Sequence, residues 1–333
     1  MLPDVVPDLP ADEVAIHSRQ KHALLEAYLR VWTQNVAANW GTASPSLDIF
    51  DLFAGTGWCV EREYRRDQWP GTAMISAAQL KQYASRRKCT LFLNCWAEDD
   101  VVRSKNIAAL GQRIQALGFE KPNREVRIVS YEFSEALRIA VGLHSARKQY
   151  PNLWILDPYA ASDLPWRSVE RIAGLVGMYQ AKSGKSTRRR PELFVNFMTS
   201  SLQRNIHNLP MVTSGLGCSV PEWESHLQEV ESEGGTFLDA LAVFYFSQLE
   251  NLYGRPPFAV KIPGKDGNPV SIVFLAVDRD AAWHSIRKES IPHFEQWRQQ
   301  KYLPRKEWVR TRHKIDREMP KGLKQTELND TYR

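Results

Sequence analysis

The sequence has no apolar run of 18 residues or more, so no segment of it reads as a transmembrane helix. Its four cysteines, Cys59, Cys89, Cys95 and Cys218, form no C-x-x-C or C-x-H pair. That argues against a disulfide framework and a zinc site, and no bound metal is expected. A G-x-x-x-x-G-K-[ST] loop is missing, which excludes an ordinary P-loop. No H-x-x-x-H or Ser/His/Asp pattern stands out, and single histidines such as His22 and His207 read as core or surface residues. Neither an internal repeat nor a low-complexity tract is present. The first residues, MLPDVVPDLPADEVAIHSRQ, lack the basic and apolar regions of a signal peptide. Together these absences lead to the expectation of a reduced, cytoplasmic protein that does not engage a membrane.

What the chain does have is enough apolar residue for a substantial core. Of its 333 residues, 43% are hydrophobic and 25% charged, which fits one large α/β domain or two smaller ones. The net charge is +6, and residues 296–326 alone carry about +7, so the rest of the chain is close to neutral. A second basic cluster is KSGKSTRRRP, with Lys182, Lys185, Arg188, Arg189 and Arg190 and no acid. Such blocks attract polyanions by counterion release, and the alternative is solvated surface. Nucleic acid is therefore an expected partner.

Along the chain, residues 1–15 hold Pro3, Pro7 and Pro10 among acids and read as an N-terminal arm. From Gln20 to Asn39, Leu24, Leu25, Tyr28, Val31, Trp32 and Val36 recur at helical spacing. Five runs, LDIFDLF, CTLFLNCW, EVRIVSY, LWILDP and ELFVNF, read as buried strands. Helical stretches separate them, including 100–117 and the crossover DLPWRSVERIAGLVGMYQ. Continuous apolar strands alternating with helices predict a parallel sheet covered on both faces. After the helix TFLDALAVFYFSQLENL, the runs FAVKIP and VSIVFLAV flank Asp266-Gly267, a hairpin signal. The expected fold is thus α/β, a doubly wound, mostly parallel sheet of the class I methyltransferase type, closed by an antiparallel C-terminal hairpin. Residues 16–295 form that domain, with a basic loop at 181–191, and 296–333 form a basic tail.

DIFDLFAGTGW carries the first chemical signal. A strand runs into Asp51, and Gly55-Thr56-Gly57 then turns the chain toward an expected helix. Glycine suits a turn where backbone must approach a ligand closely. Val60 stands where a dinucleotide fingerprint needs its third glycine, so NAD is the weaker reading. Asp51, Phe53, Ala54, Gly55, Thr56 and Gly57 resemble the first motif of S-adenosylmethionine (SAM) enzymes. The other reading is a tight turn with nothing bound. A carboxylate at the next strand end suits ribose hydroxyls, and Glu98 in LNCWAEDD is the candidate, with Asp99 and Asp100 equally suited to capping a helix. Tyr131 and Glu132 end the third strand, where the adenine would lie.

The second signal is Asp157-Pro158-Tyr159, at the end of the fourth strand. Amino-methylating enzymes carry [DNS]-P-P-[YFW] here, because an acceptor side chain and a proline-fixed carbonyl can localise the lone pair of an exocyclic amine. An aromatic ring then stacks on the flipped base. This chain has one proline rather than two, and the alternative is a capped, proline-stopped strand. Cytosine C5 methylation is disfavoured, since no cysteine follows a proline.

Several pieces, in order, resemble the three-Cys-motif partner proteins (TcmP). They are Lys21 with LLEAYLRVW, DLFAGTG, GTAMISAAQL at Gly71 to Leu80, and WILDPYAASDLPWRSVERIA. ELFVNFMTSSLQRN, with Asn196, Phe197 and Arg204, and SIVFLAVDRDAAWHSI complete the set. The resemblance covers about residues 20–287. Asp157-Pro158-Tyr159-Ala160 replaces the family's D-P-F-G, Ala73 replaces the proline of its G-[ST]-P, and Ser130-Tyr131-Glu132 replaces a D-x-N. The resemblance implies a methyltransferase-like domain and a partner protein with a three-cysteine motif, of radical-SAM type, in phage or mobile-element settings. The expected function is a SAM-dependent methyltransferase acting on nucleic acid, contacted by the basic loop and Arg204. The alternative is a methyltransferase-like partner protein without catalysis.

Overall fold

The computed structural model describes residues 4, 6–39, 46–62, 67–83, 88–119, 123–147, 151–180, 186–264 and 269–302. The chain divides into two compact units. The first comprises Met1–Asp157, Ile172–Phe194 and Val277–Phe294, and the second Pro158–Arg171, Val195–Ala276 and Glu295–Arg333.

The elements up to the fourth expected strand are β1 (Asp12–Val14), α1 (Ser18–Asn39), β2 (Ser46–Asp51), β3 (Trp58–Glu61), β4 (Gln68–Pro70), α2 (Thr72–Tyr83), β5 (Lys88–Asn94), α3 (Asp100–Ala116), β6 (Arg124–Val129), α4 (Phe133–Arg147) and β7 (Asn152–Leu156). There follow α5 (Trp166–Ala173), β8 (Gly177–Gln180), β9 (Ser186–Arg189) and β10 (Glu192–Phe197). The chain continues through α6 (Thr199–Arg204), α7 (Leu209–Leu216), α8 (Val220–Ser232), α9 (Phe237–Tyr253), β11 (Phe258–Pro263) and β12 (Pro269–Ala276). It then forms α10 (Asp280–Ser285), a π-helical turn at Ile286–Ser290, and α11 (Ile291–Trp297).

The architecture is mixed α/β, with a seven-stranded sheet in the order β6-β5-β2-β7-β10-β12-β11. β2 lies parallel to both β5 and β7, and β5 lies parallel to β6. β11 and β12 pair antiparallel from Phe258↔Leu275 onward, and the Asp266-Gly267 turn signal lies outside the described residues. The apolar runs became strands because both faces are covered. Phe50 of β2 stacks on Trp154 of β7, with centroids 4.3 Å apart, and tilts against Phe92 of β5 at 6.0 Å. These are the register partners Phe50↔Trp154 and Phe50↔Phe92, so one aromatic row ties the central strands together. Helix α1 buries Leu24, Leu25, Tyr28, Val31 and Trp32, the face its periodicity predicts. In the second unit, Tyr245 of α9 stacks on Phe197 at 4.2 Å and meets Trp166 edge-on at 5.1 Å. Among the described residues no helix is long and apolar enough to cross a membrane.

Two expectations need correction. The glycine turn does not lead into a helix: it leads into β3, which pairs antiparallel with β4 and parallel with β1, and α2 begins only at Thr72. Trp58-Cys59-Val60 is a strand-forming run, and a three-stranded sheet buries Trp58 and Cys59. The crossover helix expected through Gln180 stops at Ala173, and Gly177–Gln180 pairs instead with Ser186–Arg189. Within the expected basic loop, Arg188 and Arg189 therefore lie in a paired strand, and residues 181–185 lie outside the described ones.

Candidate site around Asp51 and Asp157

Register sets the centre of the site. Asp51, the last residue of β2, pairs with Ile155 of β7, and Asp157 follows two residues later. With a side-chain period of two, Asp157 continues the row that Asp51 occupies. Both carboxylates thus reach the carboxyl ends of adjacent central strands, where the sheet order reverses direction away from β2 and β7.

The two acids are held in different ways. Asp51 is fully buried and accepts from Phe53 N–H at 3.1 Å and from the Thr72 hydroxyl at 2.5 Å. Burial pushes its pKa up to about 7, helped by the neighbouring Asp157 charge and opposed by those hydrogen bonds and Lys21. Asp157 meets Lys21 Nζ of α1 at 2.6 Å, with side-chain exposures of 7% and 14%. Burial alone would raise its pKa, but the Lys21 charge and His22 hold it well below the usual carboxylate range.

His22 completes this corner. The Trp69 indole N–H donates to His22 Nδ1 at 2.8 Å. An indole only donates, so Nδ1 carries the lone pair and the proton of the neutral ring sits on Nε2. That nitrogen lies 3.6 Å from Asp157 Oδ2, as a polarised contact rather than a second ion pair. Burial keeps the ring neutral by lowering its pKa. Cys59 Sγ lies 3.9 Å from Nδ1, but burial pushes this thiol well above its ordinary value, so it is no nucleophile.

The glycine turn is closed from within the chain. Gly55 and Gly57 adopt φ of +56° and +81°. A Cβ on Gly55 would lie 2.3 Å from Asp12 Oδ2, and one on Gly57 2.8 Å from Leu110 Cδ1. The same Asp12 oxygen accepts from Thr56 N–H at 2.9 Å, while burial raises the Asp12 pKa to about 6. Asp4, Leu9 and Pro10, within the arm expected over residues 1–15, are fastened here by Arg113 of α3, which is fully buried. Its guanidinium donates to Asp4 (3.2 and 3.0 Å), to Leu9 O (3.1 Å), to Pro10 O (2.7 Å) and to Thr56 O (3.1 Å).

The other site residues expected from sequence are placed as follows. Phe53 stacks on Phe133 at 5.2 Å. Ala54 is buried and donates its N–H to Asn94 O at 2.9 Å. Asn94 also ties Leu52 O to the Tyr131 backbone, joining the ends of β2, β5 and β6. Tyr131 is 45% exposed, and Glu98 and Glu132 are exposed. Asp99 caps α3 through Val102 N–H at 2.8 Å, and Asp100 pairs with Arg103. Pro158 is buried, whereas Tyr159 is 61% exposed. Of the basic residues, Lys182 and Lys185 lie outside the described residues, and Arg188 and Arg204 are exposed. Arg190 is structural: its N–H donates to Asp278 at 2.8 Å and its guanidinium to Ala173 O at 2.9 Å.

Sequence reasoning did not assign a role to Asp12, His22, Trp69 or Thr72, and it placed Lys21 only within a resemblance. Their partners lie far away in sequence (Lys21 to Asp157 spans 136 positions), so no local pattern marks them. No protein-family model, no curated protein and no solved structure matches the chain.

Proposed function

We propose that the chain is a SAM-dependent methyltransferase of class I architecture whose acceptor is nucleic acid. The observation that carries the reading is strand order. Numbered by their place in the chain, the seven sheet strands run 3-2-1-4-5-7-6, a doubly wound order with the last hairpin turned inward. Asp51 and Asp157 stand at its reversal point, where open α/β sheets bind ligands.

The residues there suit this cofactor. SAM carries a sulfonium and an ammonium, and Asp12, Asp51 and Asp157 give its methionine end an acidic surround. Glu98 is exposed for ribose hydroxyls, and Phe53 and Tyr131 offer ring faces for a purine. When bound, SAM supplies an electrophilic methyl group. This chain's own residues position the acceptor and shape the charge around it. Lys21 keeps Asp157 ionised, so Asp157 accepts hydrogen bonds and does not donate. That suits it to receive an amine N–H. Tyr159, two residues further on, is 61% exposed, and exposed Arg188 of β9 is suited to contact phosphate.

Calorimetry with SAM and with its demethylated product tests cofactor binding; no heat from either, in well-folded protein, ends the proposal. Transfer of labelled methyl to DNA or RNA should then disappear in Asp157→Asn, which spares Lys21 a burial partner better than alanine does. A second reading rests on Asp12. It already occupies the Thr56 N–H and covers Gly55, so the glycine turn is satisfied without a cofactor. Under that reading the chain is a non-catalytic partner of a three-cysteine-motif protein, as the TcmP resemblance implies. Co-purification with such a partner, together with no methyl transfer, selects it.

A further inference from the structure

A cavity lies along α1, apart from the Asp51–Asp157 corner. Its volume is about 70 Å³, and its lining includes Tyr28, Trp32, Asn35, Glu192, Arg279 and Ser290. Lys21 and Trp32 are both on α1, so at 1.5 Å per residue the cavity sits about 16 Å along the helix from the carboxylate corner. Glu192 is the first residue of β10, and Ser290 ends the π-helical turn. Single π turns within helices recur at functional sites.

The lining is chemically specific. Glu192 is 3% exposed, and one of its oxygens accepts from the Tyr28 hydroxyl. The Trp32 indole Nε1 is buried without a hydrogen-bond partner among the described residues, and Arg279 acts on Glu192 through charge. A carboxylate offers about four lone-pair sites, so the Tyr28 hydroxyl does not exhaust it. Ser290 is fully buried, and its Oγ has no hydrogen-bond partner among the described residues. A buried hydroxyl left unpaired costs about 1–3 kcal/mol, which a ligand in the cavity would relieve. Asn35, by contrast, already donates to Ser285 Oγ at 2.8 Å.

We infer that this cavity is a binding site for a pyrimidine nucleobase, separate from the methyl-acceptor corner. Its size admits roughly five to seven waters, or one small heterocycle. Burial raises the Glu192 pKa against the opposing charge of Arg279, so the cavity presents no strong unopposed anion, which favours an uncharged ligand over a cation. The rings of Tyr28 and Trp32 furnish flat apolar walls for a planar base. A pyrimidine presents a ring or amino N–H to Glu192 and a ring carbonyl to the Ser290 hydroxyl, which satisfies both. The proposal does not depend on methyl transfer.

The test is calorimetry of the full chain with uracil and cytosine as free bases, and with short oligo(U) and oligo(C). Expected is saturable binding of a free base, or of an oligonucleotide where the base is presented by a strand. Ser290→Ala should weaken that binding about tenfold, the equivalent of one hydrogen bond. Glu192→Gln, which keeps a partner for Tyr28, serves as the second variant and should weaken it similarly. Asp157→Asn should leave the binding of free uracil, which has no exocyclic amine for that corner, unchanged. The inference is overturned if neither bases nor oligonucleotides bind. Binding unaffected by both cavity variants, or uracil binding lost in Asp157→Asn instead, overturns it equally, and in the last case points to the acceptor corner.

Discussion

The ends of β2 and β7 place two buried carboxylates side by side and drive them in opposite directions. Asp51 is surrounded by a hydroxyl and a backbone N–H, and burial brings its pKa up to about 7. Asp157 has a lysine ammonium at 2.6 Å and is held ionised. A dipole softens the cost of a buried charge, whereas a full opposite charge at contact distance reverses its effect on the pKa. Two neighbouring acids with separated pKa values can take different roles, one sharing a proton near neutrality and the other staying an acceptor.

The largest effect expected from breaking this pair is on stability. Lys21→Met leaves the Asp157 charge buried without its partner and should cost about 3–5 kcal/mol in denaturant unfolding. Replacing both, as Lys21→Met with Asp157→Leu, should recover much of that loss; equal losses in the single and double variants would show that the pair is not the source. Arg113→Ala should cost a similar amount, because it strands the Asp4 carboxylate, whose side chain is 5% exposed, and releases the Leu9 and Pro10 carbonyls. Limited proteolysis near the N-terminus should accelerate in that variant.

The two acids also separate by pH. Asp51 binds its proton more tightly folded than unfolded, so its contribution is complete below about pH 4 and is lost as pH rises toward about 7. Asp157 has the opposite sign: its contribution is present above about pH 4 and lost as pH falls further. Melting temperatures of Asp51→Asn should therefore decline less between pH 4 and 7 than those of the parent chain. Parallel curves would remove Asp51 from this role.

A smaller effect is expected at the glycine turn. Gly55→Ala should cost about 1–2 kcal/mol from the left-handed backbone alone, plus displacement of Asp12. Adding Asp12→Ala should relieve the second part but not the first, as read by thermal unfolding of the double variant. The smallest effect concerns nucleic acid. Because Arg190 is committed to Ala173 O and Asp278, replacing Arg188 and Arg189 by alanine should shallow the slope of log affinity against log salt by about two, and adding Arg190→Ala should change it little further.

Much of the fold was legible because burial on both faces leaves a local signature. Phe50, Phe92 and Trp154 sit in continuous apolar runs, and those runs are β2, β5 and β7. Less was legible after the glycine turn, where β3 and β4 take the place of the expected helix. β3 gains its partner from Asp12–Val14, more than forty positions upstream, and strand pairing of that range leaves no period to read. The strand-end acids Asp51 and Asp157 were legible as positions, since acids stood beside glycine and proline at the ends of apolar runs.

The sequence by itself determined that the runs of β2, β5, β6, β7, β10, β11 and β12 are strands, and that Asp51 and Asp157 stand at strand ends. Only the tertiary structure decided their charge states. It brought Lys21 and His22 from α1 to Asp157, Thr72 to Asp51, and Asp12 to the glycine turn. Charge in a buried site is set by what stands within a few ångströms, and folding, rather than chain order, chooses those neighbours.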